Sequence, residues 1–228
     1  MADSDQILPP GHILRYGFYE RVIHWTAALS YIYLLLTGLA FWSPWLFWLA
    51  RILGGGQISR ILHPWVGLIF FVAVCFMYAV WHRDMHFSSE DREWGKSLGN
   101  YVRNEDEKMP PAGRYNAGQK GLFWSFFIAG FVLLASGLVL WFTESLPWSL
   151  RWLRYVAVLL HPIAALVTIA NFMIHVYMSV FAERGALNSM IRGDVSLSFI
   201  KRFHPGWYRQ IVGSSDVRSR ELGSRDLR

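Results

Sequence analysis

The sequence predicts an all-α integral membrane protein, a bundle of four transmembrane helices with both termini in the cytoplasm, and three observations predict it. Of the 228 residues, 54% are hydrophobic and only 17% are charged, too few polar side chains to coat a water-soluble domain of this size. Four stretches, 22–50, 61–82, 121–143 and 155–182, contain no Asp, Glu, Lys or Arg. Each is long enough to cross a bilayer, which takes roughly 20 apolar residues at about 1.5 Å rise per residue. Lys and Arg number 2 before the first stretch, 2, 7 and 2 in the successive loops and 9 after the last, so 18 lie on one side and 4 on the other. The positive-inside rule then places both termini and the loop from Arg83 to Lys120 in the cytoplasm. The same arithmetic excludes a disordered chain, a disulfide-built secreted domain and a Rossmann-type soluble enzyme. It also makes the net charge of +6 a matter of membrane orientation, with no nucleic-acid partner expected.

In chain order, residues 1–20 form a cytoplasmic N-terminal segment. Its acidic residues and prolines, without a basic region or an apolar core, read as an uncleaved start and not as a signal peptide. The membrane domain, 21–182, holds helices at about 21–42, 61–83, 119–143 and 154–182. Pro44 ends the first near Trp42, leaving Trp45 to Arg51 as an interfacial segment. Tyr16, Trp25, Trp42, Trp45, Trp48, Trp65, Trp81, Trp141, Trp148 and Trp152 stand near the ends of the stretches, where amphipathic rings favour the headgroup level. Residues 183–228 form a cytoplasmic tail, with composition after Ser214 that reads as mobile. The single cysteine, Cys75, permits no disulfide and no C-x-x-C-H attachment, and reads as a buried small hydrophobe.

The candidate chemistry lies in the histidines. Ionisable side chains at membrane depth count as functional by default, and four of the eight histidines qualify: His24, His63, His161 and His175. His24 lies at the inner start of the first helix and His63 at the outer start of the second. The fourth helix runs inward, so His161 belongs to its outer half and His175 to its inner half. Depth pairs His63 with His161 and His24 with His175. The 14 residues between His161 and His175 rise about 21 Å and return to within about 40° of the same helix face. The face passes through Ala164, Ala165, Thr168 and Phe172, a stripe that serves either helix packing or a flat cofactor. Two bis-histidine, non-covalent haems, hence b-type, use the layout fully, whereas zinc wants three or four protein ligands. His82 competes with His24 on depth alone. His82 and His86 share a face but look interfacial, and His12 and His204 carry no assigned chemistry.

A second constellation precedes the third helix, Arg114-Tyr115-Asn116-Ala117-Gly118-Gln119-Lys120, where amides, a cation and a glycine suit either a flat polar ligand or an ordinary helix start. With these residues, the chain resembles the cytochrome b (gamma) subunit of the membrane-bound respiratory formate dehydrogenases. The likeness runs from about Arg15 to Tyr208 and rests on Glu20 to Trp25, Arg60 to Pro64, Arg114 to Lys120, His161 with His175, and His204 to Tyr208. The resemblance implies that His63 and His161 bind the outer haem and His24 and His175 the inner one. It further implies that a quinone, menaquinone or ubiquinone, sits near Asn116, Gly118, Gln119, Lys120 and His175. The partners it implies are an iron-sulfur subunit at the outer face and a catalytic molybdenum or tungsten subunit that oxidises formate, in the bacterial inner membrane and within a complex open to higher oligomers. Pro162 departs from the small residue expected after His161.

The expected function is therefore electron transfer from the iron-sulfur subunit through two haems to quinone near the cytoplasmic face, with no formate chemistry in this chain. The alternatives are a dihaem cytochrome b serving a hydrogenase or thiosulfate reductase, or a haem-free anchor or small transporter in which the histidines pack or relay protons.

Overall fold

The computed structural model describes residues 8–103, 105 and 108–213. The acidic positions Asp3 and Asp5 and the tail after Ser214 lie outside them. Four helices are long and apolar enough to cross a membrane: α1 (Phe18–Trp42), α3 (Gly56–Trp81), α6 (Ala117–Trp141) and α7 (Trp152–Tyr177). Short helices α2 (Trp48–Ile52), α4 (Ser89–Lys96), α5 (Leu98–Val102), α8 (Ala186–Ile191) and α9 (Leu197–Phe203) occupy the connections. Strands β1 (His12–Leu14) and β2 (Asp194–Ser196) pair antiparallel, with Ile13 opposite Val195. That sheet is the one departure from an all-helical chain among the described residues.

The helices begin before the charge-free stretches do. α1 starts at Phe18 and includes Glu20 and Arg21, and α3 starts at Gly56 and includes Arg60, because a charged side chain near a helix end reaches the interface without ending the helix. Trp42 closes α1, Ser43 extends, and Pro44 opens a separate single turn followed by α2. Pro64 and Pro162 each follow a histidine inside a continuous helix, so neither proline ends its span.

The chain forms two compact units. One comprises Phe18–His82 and Leu122–Tyr177 and contains nearly all of the four spans. Its core is Ala27, Tyr31, Phe70, Ala73 and Val74, with Leu34, Leu35, Met77, Phe127 and Phe172 packed on it. α1 and α3 approach each other closely along their length, whereas α6 and α7 engage them through long side chains. Tyr78 stacks on Phe127 at 4.5 Å, Phe71 meets Phe131 edge-on at 4.8 Å and Tyr31 packs on Phe172 at 5.2 Å. Several polar groups within the spans are bonded to one another, as a hydrocarbon solvent favours. Asn171 Nδ2 donates to Ser125 Oγ at 2.6 Å, Tyr31 to Thr168 Oγ1 at 3.3 Å and Trp81 Nε1 to Glu20 at 2.6 Å. Leu29, Ile69, Ile128, Leu159, Leu166 and Met173 point outward, as lipid contact demands. Cys75 is half-buried, less enclosed than its position in the span suggests.

Among the described residues, the other unit gathers those of 8–17, 83–121 and 178–213. Val195, Phe199 and Ile200 form its core with Ile13, Ala186, Phe203 and Trp207. Arg15 is buried with its guanidinium 5.5–5.8 Å from the rings of Tyr16, Tyr115, Phe199 and Trp207. It exchanges hydrogen bonds with Arg114: Arg15 Nη2 donates to the Arg114 carbonyl at 3.0 Å and Arg114 Nη2 to that of Arg15 at 2.5 Å. Gly206 sits so close to the backbone of Ala112 that a Cβ would stand 2.8 Å from its carbonyl oxygen, so this approach is open to glycine alone. Residues 183–213 are thus largely folded and not an extended tail.

Candidate functional site

Three of the four spans contribute the histidines, each at a depth fixed by its helix's register. α1 carries His24 two turns from its start, α3 carries His63, and α7 carries both His161 and His175. The fold brings these four together as two pairs. The rings of His24 and His175 have centres 6.0 Å apart, and those of His63 and His161 are 6.4 Å apart. His82 stands apart from them: its ring stacks on Tyr78 at 5.1 Å, and its Nδ1 bonds the carbonyls of Tyr78 and Ala79 in its own helix. Depth alone left His82 level with His24. The direction in which each side chain leaves its helix separates them.

The surroundings of the pairs differ. His63 Nδ1 lies 2.7 Å from Thr37 Oγ1, and His161 Nδ1 lies 2.9 Å from Ser136 Oγ. His24 Nδ1 is buried without a hydrogen-bond partner. Glycines adjoin both outer rings: a Cβ on Gly38 would meet His63 Cε1 at 3.8 Å, and one on Gly137 would meet His161 Cε1 at 3.3 Å.

These residues fit haem b. Two imidazoles on opposite sides of one metal, each bonded at about 2 Å, have ring centres about 6 Å apart, because each ring centre lies roughly 1 Å behind its nitrogen. Both pairs match that span. Among the described residues no group of three or more His, Cys, Asp or Glu side chains could hold a bare metal ion, so two ligands per depth suit a metal whose other positions a porphyrin fills. The glycines leave the ring edges uncrowded.

The residues before α6 form a different arrangement. Asn116 Oδ1 accepts from the Gln119 backbone N–H at 2.9 Å, and Gln119 Oε1 accepts from that of Asn116 at 3.2 Å, a reciprocal cap on the start of α6. Gln119 Nε2 reaches Glu183 at 3.4 Å. Gly118 admits the ring of Trp94, which a Cβ would meet at 3.1 Å. Lys120 is buried: its Nζ donates to Asp91 at 2.6 Å and to the His86 carbonyl at 2.9 Å. Burial alone would raise the Asp91 carboxyl, but the hydrogen bonds from Lys120 and Ser88 hold it below its ordinary value. Asn116 and Lys120 also line a cavity of about 180 Å³ with Asp84, Asp91, Arg114 and Tyr115.

Sequence reasoning did not single out Thr37, Ser136 or Asp91. The first two lie at the depth of the outer pair, which was the available signal. His12 and His204, to which no chemistry was assigned, have structural partners: His12 Nδ1 bonds Asp194 across the β1–β2 pair, and His204, fully buried, bonds the Gly113 carbonyl at 2.8 Å. Burial, with the nearby Arg15 cation, pushes His204 down to about 3. The same burial raises the Tyr115 hydroxyl.

Four spans with two half-buried histidine pairs sharing one helix define a membrane cytochrome b. The chain belongs to the prokaryotic cytochrome b561 family, whose family model matches residues 15–193. It is similar to the cytochrome b556(Fdn) subunit of the nitrate-inducible formate dehydrogenase of Escherichia coli K12, 35% identical over 217 residues that cover 92% of this chain and 97% of that one. The cytochrome b556(fdo) subunit of formate dehydrogenase from the same organism is 36% identical over 209 residues, 91% and 97% of the two chains. The cytochrome b556 subunit of Haemophilus influenzae formate dehydrogenase is 31% identical over 201 residues, 88% and 84%.

Proposed function

We propose that this chain is the cytochrome b subunit of a formate dehydrogenase complex in the bacterial inner membrane, carrying electrons from an iron-sulfur subunit at the outer face, through two b haems, to quinone near the cytoplasmic face. The observation that carries the reading is the pair of histidine pairs, 6.0 and 6.4 Å across, both completed by α7. The names of its relatives support the choice of formate dehydrogenase and, with it, an iron-sulfur and a molybdenum or tungsten partner.

In this reading His63 and His161 hold the outer haem and His24 and His175 the inner one. Bound there, the haems supply one-electron carriers in series. The about 21 Å of helix between His161 and His175 sets the two pairs at different depths of the membrane, while the apolar spans exclude water. The 18-to-4 distribution of Lys and Arg supports cytoplasmic termini, so the chain moves each electron against a potential that is negative inside and stores about 2.3 kcal/mol per 100 mV. Asn116, Gly118, Gln119, Lys120 and His175 are assigned to quinone on the resemblance, and protons come from the cytoplasm.

The testing experiment is the dithionite-reduced spectrum and haem count of the purified complex, followed by addition of formate. Two extractable b haems per chain, both reduced by formate, are expected. A chain without haem would return the histidines to packing or proton-relay roles, and reduction by hydrogen but not formate would assign the chain to a different dehydrogenase.

A further inference from the structure

Two hydroxyls on two different helices stand in the same relation to the outer histidines. Thr37 Oγ1 lies 2.8 Å from the Tyr33 carbonyl and 3.2 Å from that of Leu34, so its hydrogen is donated to its own helix. Its remaining lone pair faces His63 Nδ1 at 2.7 Å. Ser136 Oγ lies 2.6 Å from the Val132 carbonyl and 3.4 Å from that of Leu133, and its lone pair faces His161 Nδ1 at 2.9 Å. A hydroxyl has one hydrogen to give. With that hydrogen held by backbone, each oxygen can only accept, so each Nδ1 must carry the proton and each Nε2 keeps its lone pair. The hydroxyl of Thr37 is fully buried and that of Ser136 nearly so, which keeps water from substituting. His24 Nδ1, in the inner pair, is buried with no such acceptor.

We propose that Thr37 and Ser136 are positioning residues of the outer haem, fixing the tautomer of His63 and His161 and holding the potential of that haem below the value it would have without them. The proposal rests on the assignment of His63 and His161 as its ligands. Donation from Nδ1–H to an acceptor pushes electron density toward Nε2 and makes it a more basic ligand, which favours the ferric over the ferrous ion. Both outer ligands have the acceptor and His24 lacks it, so the contribution lowers the outer potential relative to what a pair containing His24 receives and so favours inward electron flow. The two relays arrive from α1 and α6, the helices that carry neither outer ligand, so each outer histidine is oriented by a neighbouring helix and not by its own.

The test is an optical redox titration, with EPR of the ferric low-spin signals, of the assembled complex carrying Thr37→Val, Ser136→Ala or Thr37→Ser. Loss of one hydrogen bond should change the oxidised-to-reduced ratio of the outer haem at fixed potential by about threefold to tenfold, an upward shift of about 30 to 60 mV for one electron. The inner haem should titrate as in the unchanged protein, and Thr37→Ser, which keeps the hydroxyl, should restore the outer value. If Thr37→Val loses the outer haem while Thr37→Ser retains it, the positioning role is equally supported. Unchanged potentials in both Thr37→Val and Ser136→Ala, with two haems present, would overturn the proposal while leaving the ligand assignment intact. The ligand assignment itself fails separately, if His63→Ala retains both haems.

Discussion

Replacing Lys120 by Met removes the cation from a nearly dry ion pair, whose side chains are 11% and 8% exposed. Asp91 then keeps two donors, the Ser88 N–H at 2.7 Å and the Ser88 hydroxyl at 3.1 Å, but no opposite charge, and the His86 carbonyl loses the ammonium at 2.9 Å. Removing one member of a buried pair costs about 3 to 5 kcal/mol. The two Ser88 donors place this case near the lower end, about 3 kcal/mol. For a chain of this length each kcal/mol moves the midpoint by roughly 2 to 4 °C, so Tm should fall by roughly 6 to 12 °C. The assay is thermal unfolding followed by circular dichroism in detergent, on Lys120→Met, Asp91→Asn and the double variant. The double variant should be more stable than Lys120→Met alone, because the uncompensated carboxylate is gone and the two sites are coupled. A Tm for Lys120→Met within 2 °C of the unchanged protein, or a double variant in which the single effects simply add, would refute the reasoning. The same variants separate stability from quinone chemistry: Asp91→Asn frees the ammonium without removing it, so a fault in haem reoxidation confined to Lys120→Met would place Lys120 at the quinone.

Three further outcomes are expected. His161→Ala should yield a chain with only the inner haem, counted by pyridine haemochrome, since His24 and His175 form a separate pair 6.0 Å across; retention of both haems would show that another group had been underrated. Asn116→Asp keeps the oxygen that caps Gln119 but loses the amide donors, so haem spectra and formate reduction should be unchanged while stopped-flow reoxidation at subsaturating quinone slows about 5- to 150-fold, the weight of one polar partner in a dry site; an unchanged rate would leave Asn116 as a helix cap only. His204, pushed from 6.5 down to about 3, is neutral when folded and protonates when unfolded, so the stability it contributes is present above pH 6.5 and is lost as pH falls toward 3. The slope should be at most about 1.4 kcal/mol per pH unit, and His204→Gln should flatten it in acid unfolding curves.

The spans were legible because absence of charge over more than 20 residues has no other common cause in a folded chain. Their ends were less so: Glu20, Arg21 and Arg60 bound the apolar stretches but sit inside helices whose hydrogen bonding continues past them. Histidine depth followed from rise per residue and alternating direction. The choice between His24 and His82 did not follow, since depth carries no azimuth, and both lie near the same end. Asn116 and Gln119 were visible as amides, yet their spacing of three residues is also that of a capping box, and the structure gives them that geometry. Thr37 and Ser136 were missed because a hydroxyl in a span normally bonds only its own helix, and these two do so while also facing a ring. The β1–β2 pair was out of reach: three-residue strands so far apart in sequence carry no pattern that identifies a partner.

That strand pair also imposes an order on assembly. His12 meets Ser196 and Leu14 meets Asp194, so β1, once it has left the ribosome, must wait for β2, which follows all four spans in the chain. At about 5 to 20 residues per second the interval between them is roughly 10 to 40 s, during which all four spans have time to enter the bilayer. Until then Ile13 has no Val195 to cover, and the backbone N–H of Arg15 has no Gly193 carbonyl, which it reaches at 2.7 Å in the finished chain. A product stopped before residue 194 would leave β1 without its partner strand, whatever the state of its helices.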